Sequence, residues 1–99
     1  MRRVLLSVLL LTTTVFAETI RIHVVDPQSL AVSGARVTVL SGDSVKAIAH
    51  TDSAGNADVD VPRGTYHVQI LTPNFAATSV EVTVPGEVKT VTLSVAPRS

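Results

Sequence analysis

Three histidines, three closely spaced aspartates and a scatter of serines are the side chains in this sequence with chemistry to offer. His23, His50 and His67 are the candidate metal ligands, and a zinc site needs about three protein ligands converging in one geometry. No H-x-H, H-E-x-x-H or H-x-x-E spacing joins them. His23 and His67 sit on the polar side of alternating stretches, beside Ile22 and Val68, and would meet only if those stretches were neighbours. Solvated histidines are the expectation.

Asp52, Asp58 and Asp60, with Asn56 among them, have the flavour of a calcium loop. An EF-hand loop needs ligands at alternate positions, a central glycine and a glutamate at the twelfth position. Counted from Asp52, that position is Arg63, which carries the wrong charge. The two later aspartates read more simply as the solvent face of a strand, where charge discourages edge-to-edge pairing. No serine lies in G-x-S-x-G, and neither a P-loop nor a dinucleotide glycine pattern occurs. The sequence therefore offers no catalytic, cofactor-binding or metal residues, and the expectation is a protein that is not an enzyme.

The elements that would position any such residues come from one small domain, since the chain has 99 residues. Met1-Arg2-Arg3 is a positive start, Val4 to Phe16 is uncharged and rich in Val and Leu, and Val15-Phe16-Ala17 ends in a small residue. That is a three-part secretory signal, with cleavage expected after Ala17. Its apolar run is shorter than the roughly 20 residues a bilayer-spanning helix needs. An uncleaved anchor, or a first strand drawn from VLLSVLLL, would use the same residues, but the run does not alternate. The mature domain is expected over 18–96, outside the inner membrane and not inserted in a bilayer, with 97–99 as a tail or the start of a linker.

Without Arg2 and Arg3, the balance of 8 basic and 8 acidic side chains turns slightly negative. Only 3% of residues are aromatic, so the basic and aromatic interleaving of an RNA-binding surface is missing and no nucleic-acid partner is expected. Cysteine is absent. Small secreted domains often rely on disulfides, so this one must cohere through sheet hydrogen bonds and aliphatic packing.

Apolar residues recur at every second position, interrupted by Gly, Pro, Asn, Asp and Ser, which is the signature of strands and turns. Seven strands are predicted. The first is Thr19–Val25, with Ile20, Ile22 and Val24 inward. The second carries Ala35, Val37 and Val39 inward, and the third, Val45–Thr51, is weak and reads as an edge able to accept a partner strand. A fourth has Ala57, Val59 and Val61 inward, and the fifth runs Thr65–Leu71 behind Pro62-Arg63-Gly64. The sixth has Val80, Val82 and Val84 inward; the seventh, Lys89–Val95, has Val91, Leu93 and Val95. Two packed antiparallel sheets bury such faces economically. A small closed barrel would satisfy the same alternation.

Several turns and flanks can be read in detail. Asp52 is placed to accept backbone N–H groups across the turn that Gly55 completes. Gly64 follows Pro62 where a positive φ is needed, and Tyr66 enters the core as its largest plug with its hydroxyl near an edge. The stretches IRIHVVD (20–26), VSGARVTV (32–39), TDSAG (51–55), VPRGTY (61–66) and Asn74-Phe75, in that order, resemble the carboxypeptidase regulatory-like domain, a transthyretin-like seven-stranded sandwich. Two positions depart from the family pattern: Ala57 stands where a bulky aromatic is usual, and Asn74 where glycine precedes the aromatic. Asn tolerates the left-handed region well.

The resemblance implies a non-catalytic module of the kind carried behind metallocarboxypeptidase domains, or just after the signal peptide of TonB-dependent outer-membrane receptors. The leader followed at once by the domain fits the second arrangement, with continuing receptor domains or another protein as partner and a periplasmic or outer-membrane location. A free periplasmic or secreted protein is the other arrangement, binding a peptide or carbohydrate through the loops Asp26–Ser33, Ser41–Ser44 and Thr72–Thr78. The wider transthyretin-like group includes a hydrolase with a C-terminal Tyr-Arg-Gly-Ser-type tail. This chain ends Pro97-Arg98-Ser99 instead.

Overall fold

Each alternating run has one aliphatic face to hide, and pairing into sheets hides it while satisfying the backbone. The computed structural model describes residues 17–86 and 88–95. Most of the leader-like segment, Glu87 of the expected turn, and the tail at 97–99 lie outside the described residues. Seven strands form: β1 (Glu18–Val25), β2 (Arg36–Ser41), β3 (Ser44–His50), β4 (Asn56–Val61), β5 (Gly64–Leu71), β6 (Thr78–Val84) and β7 (Lys89–Thr92). They make a three-stranded sheet in the order β4-β1-β7 and a four-stranded sheet in the order β3-β2-β5-β6. The arrangement is a sandwich of two sheets.

One pairing differs from the expected antiparallel pattern: β1 and β7 run parallel, with Ile22 opposite Lys89 and Val25 opposite Thr92. Parallel neighbours require a crossover, and β7 supplies it by arriving from β6 in the opposite sheet. The other pairings are antiparallel.

Most of the aliphatic residues assigned inward are buried, Ile22, Val24, Val37 and Val68 completely, while Val80 is half-buried. Val95 is the exception. It was expected inward, but is 64% exposed. The Leu93 N–H donates to the Val25 carbonyl, and the chain then leaves the sheet. Beyond that point Val95 bridges Phe75, and Ala76 donates to the Ser94 carbonyl.

Tyr66 is buried and its hydroxyl donates to the Pro62 carbonyl at 2.5 Å, which anchors the strand to the turn before it. Ala57, despite its small size, is a buried member of the core and faces Ile22 in the register. Asn74 has φ +76°, the conformation for which asparagine substitutes best for glycine.

The turn between β3 and β4 is built on Asp52. Its Oδ1 accepts the N–H groups of Ala54 at 2.9 Å and Asn56 at 3.0 Å. Gly55 has φ +79°, and its carbonyl accepts the Val24 N–H at 2.8 Å, docking the turn on β1. A Cβ at this position would stand 2.7 Å from the Val24 carbonyl oxygen.

Thr51, which the alternation did not single out, is buried. Its hydroxyl accepts the Ala35 N–H at 2.9 Å and donates to the Val32 carbonyl at 2.6 Å, tying the β1–β2 connection to the end of β3.

The Gly55→Ala variant is expected to lose about 3 kcal/mol, combining left-handed strain with the backbone clash. Gly42→Ala, at φ +60° with open space around the site, should lose only about 1 kcal/mol. Urea unfolding of the two variants side by side checks the difference. Thr51→Val should cost about 1–3 kcal/mol by leaving buried backbone groups unpaired, with Thr51→Ser recovering most of it.

Candidate functional site

The antiparallel register of β1 on β4 sets polar side chains opposite one another on the outer face of the three-stranded sheet. Thr19 faces Asp60, Arg21 faces Asp58 and His23 faces Asn56. All three pairs are bonded. The Thr19 hydroxyl donates to Asp60. Arg21 donates through Nε to Asp58 Oδ1 at 2.7 Å and through Nη2 to Oδ2 at 3.1 Å, the bidentate geometry that suits a guanidinium and a carboxylate. His23 Nδ1 lies 2.7 Å from Asn56 Oδ1, so the ring N–H is at Nδ1 and donates. Arg63 closes the end of the ladder on Glu18 at 2.7 Å.

The hydrogen bond from Arg21 holds the Asp58 carboxyl below the ordinary aspartate value of 3.8, outweighing an opposing desolvation effect, and the Arg21 charge adds a lesser push in the same direction. The same hydrogen bond and the Asp58 charge raise Arg21. Both groups are solvent-exposed, so the pair orders a surface and leaves no poised acid or base.

The histidines do not converge. His23 is in the three-stranded sheet, while His50 and His67 lie on β3 and β5 of the other, with β2 between them. The condition for His23 to approach His67, that the first and fifth strands be neighbours, is not met. Asp52, Asp58 and Asp60 are also separate, the first holding its own turn and the others bonded across to β1. Among the described residues, no three His, Asp or Glu side chains could hold a metal ion together. Nor is any helix among them long and apolar enough to cross a membrane.

Two surface features remain. At one pole, Asp26, Pro27, Gln28, Phe75 and Val95 line a pocket of about 240 Å³. Asp26 shapes its rim: Oδ1 accepts the N–H groups of Gln28 at 2.8 Å and Leu30 at 2.9 Å, folding the loop over itself. The first and third loops expected to meet a ligand therefore do share a pole. The Ser41–Ser44 turn does not join them, because β2 carries the chain to the opposite end before it turns.

The second feature is the outer face of the four-stranded sheet beside β3. There Leu40 lies opposite Val45, and Thr38 opposite Ile48. Val45 is 54% exposed and Ile48 is 50% exposed. The inward side of β3 carries only Ala47 and Ala49, both half-buried. Sequence reading found the weak edge but not this reversal, in which the larger apolar side chains face out. Ile48 faces out in the regular register opposite Thr38, whereas Val45 is turned out by a bulge, the pairing skipping Lys46 between Val45 and Ala47.

The family model for the carboxypeptidase regulatory-like domain matches residues 19–96. The chain belongs to this family. The match covers all seven strands of the carboxypeptidase regulatory-like sandwich. No curated protein sequence matches the chain.

Three solved structures share the architecture. The Bacillus anthracis TIE protein aligns with TM-score 0.62 and 16% identity, over 81% of this chain and 17% of that one. GBS52, the minor pilin of Streptococcus agalactiae, aligns with TM-score 0.60 and 12% identity, over 85% of this chain and 47% of the pilin. A chain of a type II cohesin-X-dockerin complex from Acetivibrio cellulolyticus aligns with TM-score 0.54 and 25% identity, over 75% of this chain and 51% of that one. The chain spans about half or less of the length of each.

Because the folded value of Asp58 is depressed, its pairing adds stability that is fully present above pH 3.8 and is lost as pH falls through the folded value. In Arg21→Gln the Asp58 carboxyl should titrate closer to 3.8, and the fall in stability on the acid side of that value should flatten. Carboxyl NMR titration with parallel urea midpoints measures both.

Proposed function

We propose that the domain is a non-catalytic extracytoplasmic module with a structural or protein-contact role, serving as the N-terminal extension of an outer-membrane receptor. The observation that carries this reading is the position of the family domain. Its match begins at residue 19, directly behind a leader-like segment that ends at Ala17. The charged groups described above support it, since their bonds are to one another and hold β1 on β4. The likeness to a pilin and to a chain of a cohesin-dockerin complex adds the precedent of such sandwiches within protein assemblies.

A second reading, a free periplasmic or secreted protein that binds a peptide or carbohydrate, is favoured by the pocket between Asp26–Gln28 and Phe75. An aromatic ring beside a carboxylate and an amide can stack on and hydrogen-bond either ligand.

The intact mass of the native gene product, recovered separately from periplasmic and outer-membrane fractions, tests the choice. A membrane-bound species many times larger than 10.4 kDa is expected. A soluble periplasmic species beginning at Glu18 and ending at Ser99 would overturn the receptor reading in favour of the second. Recovery from the cytoplasm with residues 1–17 intact would overturn both.

A further inference from the structure

The two outer faces of the sandwich are built on different principles. On the β4-β1-β7 face, Arg21, Thr19 and His23 answer Asp58, Asp60 and Asn56 across the strands. On the other face, the corner beside β3 exposes Val45 and Ile48 next to Leu40. The cations of this face, Lys46 at the bulge and Arg36 opposite His50 at the other end of β3, are in no ion pair among the described residues. Of the acidic groups of that face, Asp43 sits in the β2–β3 turn close to Lys46 in sequence but in no ion pair with it, and Glu81 lies on β6 at the far edge.

β3 is also an edge strand, bonded only to β2 within its sheet. The bulge and Lys46 blunt its first half, as charges and bulges do on natural edges. Ala47–His50 beyond them pairs regularly with β2 and has neither proline nor glycine to prevent a further strand from adding. The inward residues there are alanines, half-buried against the core.

We propose that the Ala47–His50 edge takes up an extended segment of a partner polypeptide whose residues alternate between apolar and acidic. The apolar ones fall beside Ala47 and Ala49 and complete the rim of the core. The acidic ones fall on the outer face, where their stems cover Ile48 and their carboxylates meet Lys46, with Arg36 one strand further in. Main-chain pairing holds the segment, and the charges select it. This inference rests on the contact-module reading and deepens it by naming the surface and the chemistry of its partner.

The probe is a capped peptide of about eight residues alternating valine and glutamate, set against its valine–lysine counterpart, titrated into the isotope-labelled protein. Shifts of the Ala47–His50 amides and slowed hydrogen exchange there are expected, with the lysine peptide bound about five-fold more weakly. Lys46→Glu should remove or reverse that preference. Ala47→Pro, which removes an N–H of the edge strand, should abolish binding; Ile48→Ser, at an exposed position where folding is not at stake, is the companion variant and should weaken binding. Unmoved β3 amides at millimolar peptide, equal binding of both peptides, or pairing of β3 with a second copy of the chain would each overturn the proposal. Binding confined to the Asp26–Phe75 pocket would overturn it too, while leaving the contact-module reading to be decided by the fractionation experiment.

Discussion

Everything in this molecule depends on pressing two aliphatic sheet faces together. With no cysteine in the chain, inter-sheet contact must supply the stability that disulfides give many small secreted domains. The buried side chains are mostly Val and Ile, of similar volume and with few rotamers, so they interdigitate at low entropic cost. Tyr66 is the one buried aromatic among the described residues, and its hydroxyl is returned to the Pro62 carbonyl within its own turn. The core therefore contains no polar group awaiting a partner, and buried side-chain donors and acceptors are satisfied among the described residues.

That constraint explains what could be read from the chain. Alternation reports burial, so the strands and their inward residues were legible almost throughout, as were the Asp52–Gly55 turn and the left-handed Asn74. Properties that rest on partners distant in sequence were not. Arg21 and Asp58 meet because β1 pairs with β4, and no local spacing rule announces a bond across 37 residues. Thr51 reads as the last residue of a weak strand, yet its hydroxyl joins two connections. Val95 continued the alternation and still left the sheet, because a periodic pattern does not say where hydrogen bonding stops.

The candidate surfaces were legible in the same uneven way. The three histidines fall on three different strands of the two sheets, a placement that no spacing in the sequence announces. The edge character of β3 followed from its small inward residues. The outward turn of Val45 did not, since it comes from a one-residue bulge against β2. A polar face closed by its own pairs and an apolar corner left open give the sandwich a front and a back.

The parallel pairing of β1 with β7 gives the fold a mechanical polarity. Because the two strands point the same way, β1 begins at one pole of the sandwich and β7 finishes at the other. Tension applied between Glu18 and Val95 would draw these strands past each other lengthwise. The hydrogen bonds from Ile22–Lys89 to Val25–Thr92 would then carry the load together in shear, instead of opening one at a time like a zip. Resistance to such a pull is governed by the unfolding barrier rather than by equilibrium stability. A modest sandwich can thus behave as a stiff link in a stretched chain.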